Sequence, residues 1–430
     1  PEELTDTNFH NENQDQQCNK CEASKKINSE VELHSGAVVE THDLVAYQSL
    51  GVTRGFTLHY DSQRADPRPI FHFGARNIAG GFNRVYIANI ELEHENLPLI
   101  VSNGTGNDGL GGATHSWTEP VANITGAIQK DMRDLPSGIY DYTLNQGLGR
   151  FGFSVNEAAS GGGFAALDRR FVGATTSSPG QVVHINTIDS MFGAGWQLGG
   201  IQELVEHSSG SLLLIDGDGT NSVFQPVEDQ PGQYDSPVGD FSTLVKNVDG
   251  SFTRTTTDQT VYQFNTAGRL ISMTDRNGNT TEHVYDPGTG RLIRIIDPVG
   301  LETVFAYNTQ GKVSSITDPA NRATVLEYDA AGNLTRITDP DGSSRNFGYD
   351  AGHHLIHETD QNGATEQTLY GFHGRATGAI RKDGTTVKID PVQTRVLRPT
   401  RTDIRAMQSP SQTIAQFADG NGNVTTTVLD

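Results

Sequence analysis

From Gly268 onward the chain repeats itself in units of about 21 residues. Such a repeat constrains the fold more than any other feature, because one unit buries its apolar face only against its neighbours. Units open as GRLISMTD (268–275), GRLIRIID (290–297), GKVSSITD (311–318), GNLTRITD (332–339) and, degraded, GHHLIHETD (352–360). The closing Asp falls at 275, 297, 318, 339 and 360, at intervals of 22, 21, 21 and 21 residues. Next comes a turn such as Asn277-Gly278 or Asp341-Gly342, often opened by Pro (298, 319, 340). Asn-Gly and Asp-Gly supply the positive φ of a hairpin turn and Pro presets its entrance, so each unit reads as one β-hairpin.

The returning strand ends in Tyr. Thr281/His283/Tyr285, Thr303/Phe305/Tyr307, Thr324/Leu326/Tyr328 and Arg345/Phe347/Tyr349 keep strict period two and share one face of a sheet. Equivalent Tyr rings would lie about 10 Å apart, two strand spacings, and pack through the strand between them. Asp286, Asn308, Asp329 and Asp350 follow, with Gly290, Gly311, Gly332 and Gly352 shortly after, as Gly268 stands before the first unit. The Asx side chain ties a corner, Gly permits it, and Tyr fills a layer. In the opening strand the apolar sites are the second and fifth after Gly (Leu292 and Ile295, Leu334 and Ile337). A flat strand would point these to opposite faces, so either a bulge or two covered faces is expected.

At 430 residues the chain has room for two or three units, and 48 Gly with 18 Phe and 12 Tyr suit a turn-dense all-β protein. Residues 1–30 are polar and read as an arm, and 31–64 as lead-in hairpin strands. Residues 65–190 read as a β-sandwich of short strands such as Arg84–Ile90 and Tyr140–Leu144. At 192–196, Phe-Gly-Ala-Gly-Trp turns a corner and anchors it with Trp196. The repeat sheet runs over 191–370. Residues 371–416 lose the register and gather Arg375, Arg381, Lys382, Lys388, Arg395, Arg398, Arg401 and Arg405, before 419–430 returns to a further repeat.

The G-x-L-x-x-I-T-D-x-x-G and Y-D-x-x-G units resemble the YD (Rhs) repeat family, which includes bacterial Rhs proteins, the C components of insecticidal toxin complexes and teneurins. The match covers about 248–370 and extends loosely to Phe192–Trp196. The resemblance implies hairpins wound as a spiralling antiparallel sheet into a hollow shell, preceded by a fibronectin-plug-like sandwich. Its partners would be other segments of a longer parent chain or copies of itself, with protein or glycan partners as alternatives. The role implied is a non-enzymatic shell, fibre or adhesion surface, secreted or at the cell surface. The alternatives are the N-terminal part of a toxin-encapsulating shell whose enzyme lies elsewhere, and a glycan-binding module.

Chemistry-bearing motifs are sparse. A net charge of -21 without a long basic stripe argues against nucleic acid, and no apolar run reaches the ~20 residues that span a bilayer. Cys18-Asn-Lys-Cys21 is a surface disulfide or two idle thiols, or half a zinc site that His10 and His34 would complete. Asp216-Gly-Asp218 places carboxylates at alternate positions, a candidate calcium site without the terminal bidentate Glu of an EF-hand. A plain turn explains it equally, and no other cofactor is expected. Asp297-Pro-Val-Gly-Leu301 has the form of an Rhs core-ending element but sits in ordinary register. His353, His354 and His357 lie beside Glu358 and Asp360, a cluster that would titrate near neutrality or bind metal. Asn103 and Asn123 begin glycosylation sequons. No nucleophile elbow, P-loop or carboxylate pair supports an enzyme.

Overall fold

The computed structural model describes residues 29–32, 35–76, 84–94, 97–101, 112–117, 123–155, 167–371, 374–390 and 413–429. Cys18, Cys21, His10, His34, the Asn103 sequon, most of the 1–30 arm and the basic residues 395–405 lie outside them. One antiparallel sheet of 21 strands, each paired to the next along the chain, runs from Gln202–Glu206 to Val424–Leu429. Strands alternate with turns of the kind the repeats encode, and the single helix among the described residues is the four-residue Ser62–Ala65.

The opening strands resolve the three-residue spacing through a bulge. Tyr307 pairs with Val313 and Ala306 with Ser315, which leaves Ser314 unpaired. The same shift sets aside Ile271, Ile293, Thr335, Ile356 and Thr377. An extra residue restores phase between positions three apart, so Leu292 with Ile295 and Leu334 with Ile337 are buried on one face at 0–3 % exposure. The other face carries exposed Val304 and Val325.

The sheet coils back on itself early. Seven strands after it begins, the N–H of Leu204 donates to Gly268 O at 2.8 Å, and Glu203 pairs with Arg269. Leu212, Phe224, Phe252 and Phe264 fill this first turn at 0–4 % exposure. Gly268 is required there twice over: its φ is +77°, and a Cβ would lie 2.0 Å from Leu204 O. The run Leu212–Ile215 is apolar at every position because it is covered twice. Leu212 and Leu214 face the filled interior, while Leu213 and Ile215 pack against Ile139, Val183 and Ile185.

A second, four-stranded sheet lies on the buried face, ordered Ser29–Val31, Val38–Asp43, Thr57–Asp61, Trp196–Leu198. Gly193 and Gly195 turn the chain with φ of +102° and +83°, and Trp196 beyond them is a fully buried strand residue paired with Tyr60. Of the lead-in strands, Val38–Asp43 and Thr57–Asp61 belong to this sheet, and Tyr47–Ser49 with Val52–Arg54 form a separate hairpin. The described residues between Asp61 and Trp196 lie outside this sheet. The excursion carries a two-stranded sheet (Ile70–Arg76 with Asn123–Gln129) and a five-stranded one. In the latter, Gly138–Val155 and Leu167–His184 pair along their full 18 residues, far longer than the short strands expected. Strand Asn123–Gln129 approaches Gly112–Trp117 and Arg84–His94 of the larger sheet.

Register is also kept where the sequence reading lost it. Ala376–Ile380 and Thr386–Asp390 continue the ladder, with Ala376 and Ala379 buried in the places of Leu and Ile. Small residues hid the unit, though Gly374 stands 22 positions after Gly352.

Candidate functional site

The inner face of the repeat sheet, where the small sheet docks, is where side chains converge. It begins with the turns. Asp275 Oδ1 accepts from the N–H of Asn277 and Asn279 at 2.8 and 2.9 Å, and Asp318 Oδ1 from Ala320 and Arg322 at 2.9 Å each. At the opposite end of the hairpins, Asn308, Asp329 and Asp350 accept from N–H groups two and four residues on, and Asp286 from Gly288 and Thr289. Side-chain bonds from Asn279 Nδ2 and the Thr289 hydroxyl, with these backbone N–H groups, hold the carboxylates of Asp275 and Asp286 below their ordinary range. Gly290, Gly311 and Gly332 take φ of +68° to +84°. In the degraded unit the left-handed residue is His353 (φ +63°), not Gly352, because the Tyr-to-Leu spacing is unchanged and Gly352 stands one place before the position that Gly332 holds.

Each terminal Tyr reaches across its own hairpin. The hydroxyls of Tyr285, Tyr307, Tyr328, Tyr349 and Tyr370 donate to the carbonyls of Leu270, Leu292, Val313, Leu334 and Leu355 at 2.6–3.1 Å. The bulge breaks the regular ladder at this place, and the phenol occupies the carbonyl there. Burial pushes Tyr285 and Tyr307 up to about 12 and Tyr328 and Tyr349 further, so all stay donors. His283, in the position that holds Phe305 and Phe347 in other units, is pushed down to about 4 by burial and stays neutral.

Next to the hairpin ends the backbone offers docking groups, and the small sheet and its flanks take several of them at multiples of 21 residues. Val313 N–H donates to Met191 O at 2.8 Å, Leu355 N–H to the Tyr60 hydroxyl at 2.9 Å, and Ala376 N–H to Gly36 O at 2.9 Å. Carbonyls are used likewise: Gly332 O accepts from Ala194 N–H at 3.1 Å and His353 O from Tyr60 at 2.8 Å. Trp196 Nε1 donates to the Tyr349 hydroxyl at 2.8 Å, and its ring packs on Phe347 with centroids 5.2 Å apart. Leu58, Tyr60 and Trp196 are fully buried against Leu292, Ile316, Leu334 and Leu355. Each such side chain contributes roughly 1.5–3 kcal/mol relative to exposure.

This face also carries buried charge. Arg345, where other units have Thr303 or Thr324, binds Glu40 of the small sheet and Glu358 of the next strand, the latter at 2.7 Å. Glu40 and Glu358 are 0 % and 2 % exposed. His42 adds a contact to Asp339 at 3.1 Å. No sequence signal singled out Glu40, Tyr60 or Arg345.

The calcium candidates serve the fold. Asp216 accepts from Gly200 N, Gln202 Nε2 and Asp218 N, and Asp218 from the N–H and hydroxyl of Thr220. Among the described residues no group of three or more His, Cys, Asp or Glu is placed to hold a metal. Asp218 instead borders a cavity of about 90 Å³ with His59, Arg64 and Gln197. Asp297 of the core-ending element caps its turn like its equivalents. His353, His354 and His357 do not converge: His353 bonds Asn333 and His354 bonds Asp66 and Asp350. Lys382 lies 3.1 Å from Asp360. No helix among the described residues is long and apolar enough to cross a membrane.

A family model described as RHS Repeat matches residues 285–323 and 328–365. No curated protein sequence matches the chain. Among solved structures, the chain is similar to the crystal structure of TcdB2-TccC3 at 11% identity, covering 92% of this chain and 30% of that chain with a TM-score of 0.26. A structure of the Photorhabdus luminescens Tc holotoxin pore gives 11% identity, 92% and 29% coverage and a TM-score of 0.26. The crystal structure of TcdB2-TccC3-Cdc42 gives 10%, 72%, 23% and 0.23. The chain spans less than a third of the length of these solved chains.

Proposed function

We propose, on the premise that the hairpin sheet of this chain is built of RHS repeats, that the chain is a wall segment of a larger β-shell, non-enzymatic in itself and working outside the cell. The observation that carries this reading is the uninterrupted 21-stranded sheet with one covered face and a bulge in each repeat unit. A sheet that keeps adding identical hairpins has no internal signal to stop, and the extra residue on every opening strand bends it steadily the same way. Such a sheet encloses space. The small sheet on the concave side then acts as a plug that braces the wall through backbone contacts repeated along the units.

Electron microscopy of the protein at its natural length tests this. A closed hollow particle is the expected result, and an open ribbon or a polymer overturns it. Adhesive or glycan-binding use of the same molecule predicts retention on a glycan array by the intact chain, which the wall reading does not require.

A further inference from the structure

His354 sits where three parts of the chain meet. It ends the turn Asp350–His354 in the repeat sheet and is 5 % exposed. Its Nδ1 faces the two carboxylate oxygens of Asp350 at 3.1 and 2.9 Å. Its Nε2 faces Oδ2 of Asp66 at 3.1 Å. The ring of Tyr370, from the next returning strand, stacks on the imidazole at 4.8 Å and 28°. Gly374 closes over Nε2, where a Cβ would stand 2.9 Å away.

Asp66 belongs to the other side of this contact. It follows the helix Ser62–Ala65 and leads into the strands that leave the small sheet. Arg68 binds it through Nε at 2.8 Å, and Arg133 Nε lies 3.8 Å from its second oxygen. Lys130 N–H donates to Pro69 O at 3.0 Å, so residues 66–69 and 129–133 form one root for the excursion. The charged and titratable groups around His354 are thus Asp66, Arg68 and Arg133 from the root, and Asp350 and Tyr370 from the wall.

A neutral imidazole has one N–H and one lone pair. Set between two carboxylates, it would satisfy one and turn its lone pair toward the other. Only the imidazolium donates to both. We propose that His354 is a proton-operated latch that fastens the root of the inserted strands to the repeat sheet, closed while the imidazole is charged and loosened when the proton leaves. This does not depend on the wall being part of a shell.

The electrostatics agree in sign. Burial works against the charged ring, but hydrogen bonds to Asp66 and Asp350 outweigh it and hold His354 above its ordinary value. A group raised in the folded state contributes in full below its unfolded pKa, about 6.5, and loses that contribution as pH rises through the folded value. For Asp66, burial is likewise outweighed by His354 and Arg68, and its carboxylate is held below the ordinary range. That half of the latch fails only as pH falls through the depressed value. The latch is therefore closed between the depressed value of Asp66 and the raised value of His354, and opens as pH rises through the latter.

Hydrogen–deuterium exchange of residues 64–68 and 353–356, corrected for intrinsic rates, reads it in the intact chain. Protection is expected to fall between pH 6 and pH 9 as the imidazole loses its proton. In His354→Gln, which keeps a polar side chain without titration, protection should be low and flat across the same range. Equal wild-type protection at both pH values, or the same fall in the variant, overturns the latch. Should the variant misfold, the wild-type protein still decides: a ¹³C-histidine resonance whose midpoint shifts downward in Asp66→Asn must titrate above 6.5, and titration below refutes it.

Discussion

Removing the Tyr349 hydroxyl deletes one oxygen atom and leaves two buried groups without partners. Trp196 Nε1 loses its acceptor at 2.8 Å, and Leu334 O loses its donor at 2.9 Å. A buried polar group stripped of its partner costs roughly 1–3 kcal/mol. Tyr349→Phe should therefore cost about 2–6 kcal/mol, while Tyr328→Phe, whose hydroxyl serves Val313 O, should cost about half of that. A sheet of stacked repeats departs from two-state unfolding, so a single melting curve mixes units. Hydrogen exchange of the amides in Leu334–Thr338 reports the local opening free energy instead. In a Trp196→Phe background only the Leu334 carbonyl remains to be orphaned, and a double-mutant cycle should show a coupling of about 1–2 kcal/mol. The reasoning is refuted if Tyr349→Phe costs no more than Tyr328→Phe, or if the coupling is zero.

Arg345→Met leaves Glu40 and Glu358 buried without their guanidinium and should destabilise the docked small sheet by about 3–5 kcal/mol, read by urea unfolding. The triple change Glu40→Gln, Arg345→Met, Glu358→Leu should recover most of that loss. Gly300→Ala meets open space and should cost about 1–3 kcal/mol for its left-handed backbone alone. Gly268→Ala drives a Cβ into Leu204 O and should cost roughly 1–3 kcal/mol more, with lost protection of the Leu204 amide in hydrogen exchange. The turn carboxylates held below their ordinary range, such as Asp318, contribute above the unfolded carboxyl pKa and lose that contribution as pH falls through the folded value. Unfolding midpoints should accordingly drop from pH 5 to pH 2, and less steeply in Asp318→Asn.

The hairpins were legible because their information is local. A Gly, an Asx and a Tyr at fixed offsets determine turn, cap and face within one unit. The bulge was legible only as a conflict, since Leu292 and Ile295 violate period two and sequence alone left two covered faces as an alternative. The docking face was hidden for a different reason. Tyr60 and Trp196 are cross-strand neighbours separated by more than a hundred residues of intervening chain, and neither carries a mark of the other. Arg345 looked like an ordinary departure from Thr, because its meaning depends on Glu40, some 300 positions away. The left-handed backbone of His353 was hidden because a nearby Gly352 offered the expected residue type at a position one place off.

The backbone contacts between the small sheet and the wall recur at Val313, Leu355 and Ala376, all congruent modulo 21. A lattice with that translational symmetry would accept the plug equally well one unit up or down, much as a vernier has several near-coincident readings. Arg345 breaks the degeneracy. Shifted one way, Glu40 would meet Thr324, and shifted the other way, Glu366, a second carboxylate in the place of the guanidinium. A buried charge that adds little net stability thus selects one alignment out of several, so adding whole units beyond Ile389 would lengthen the wall without moving its brace.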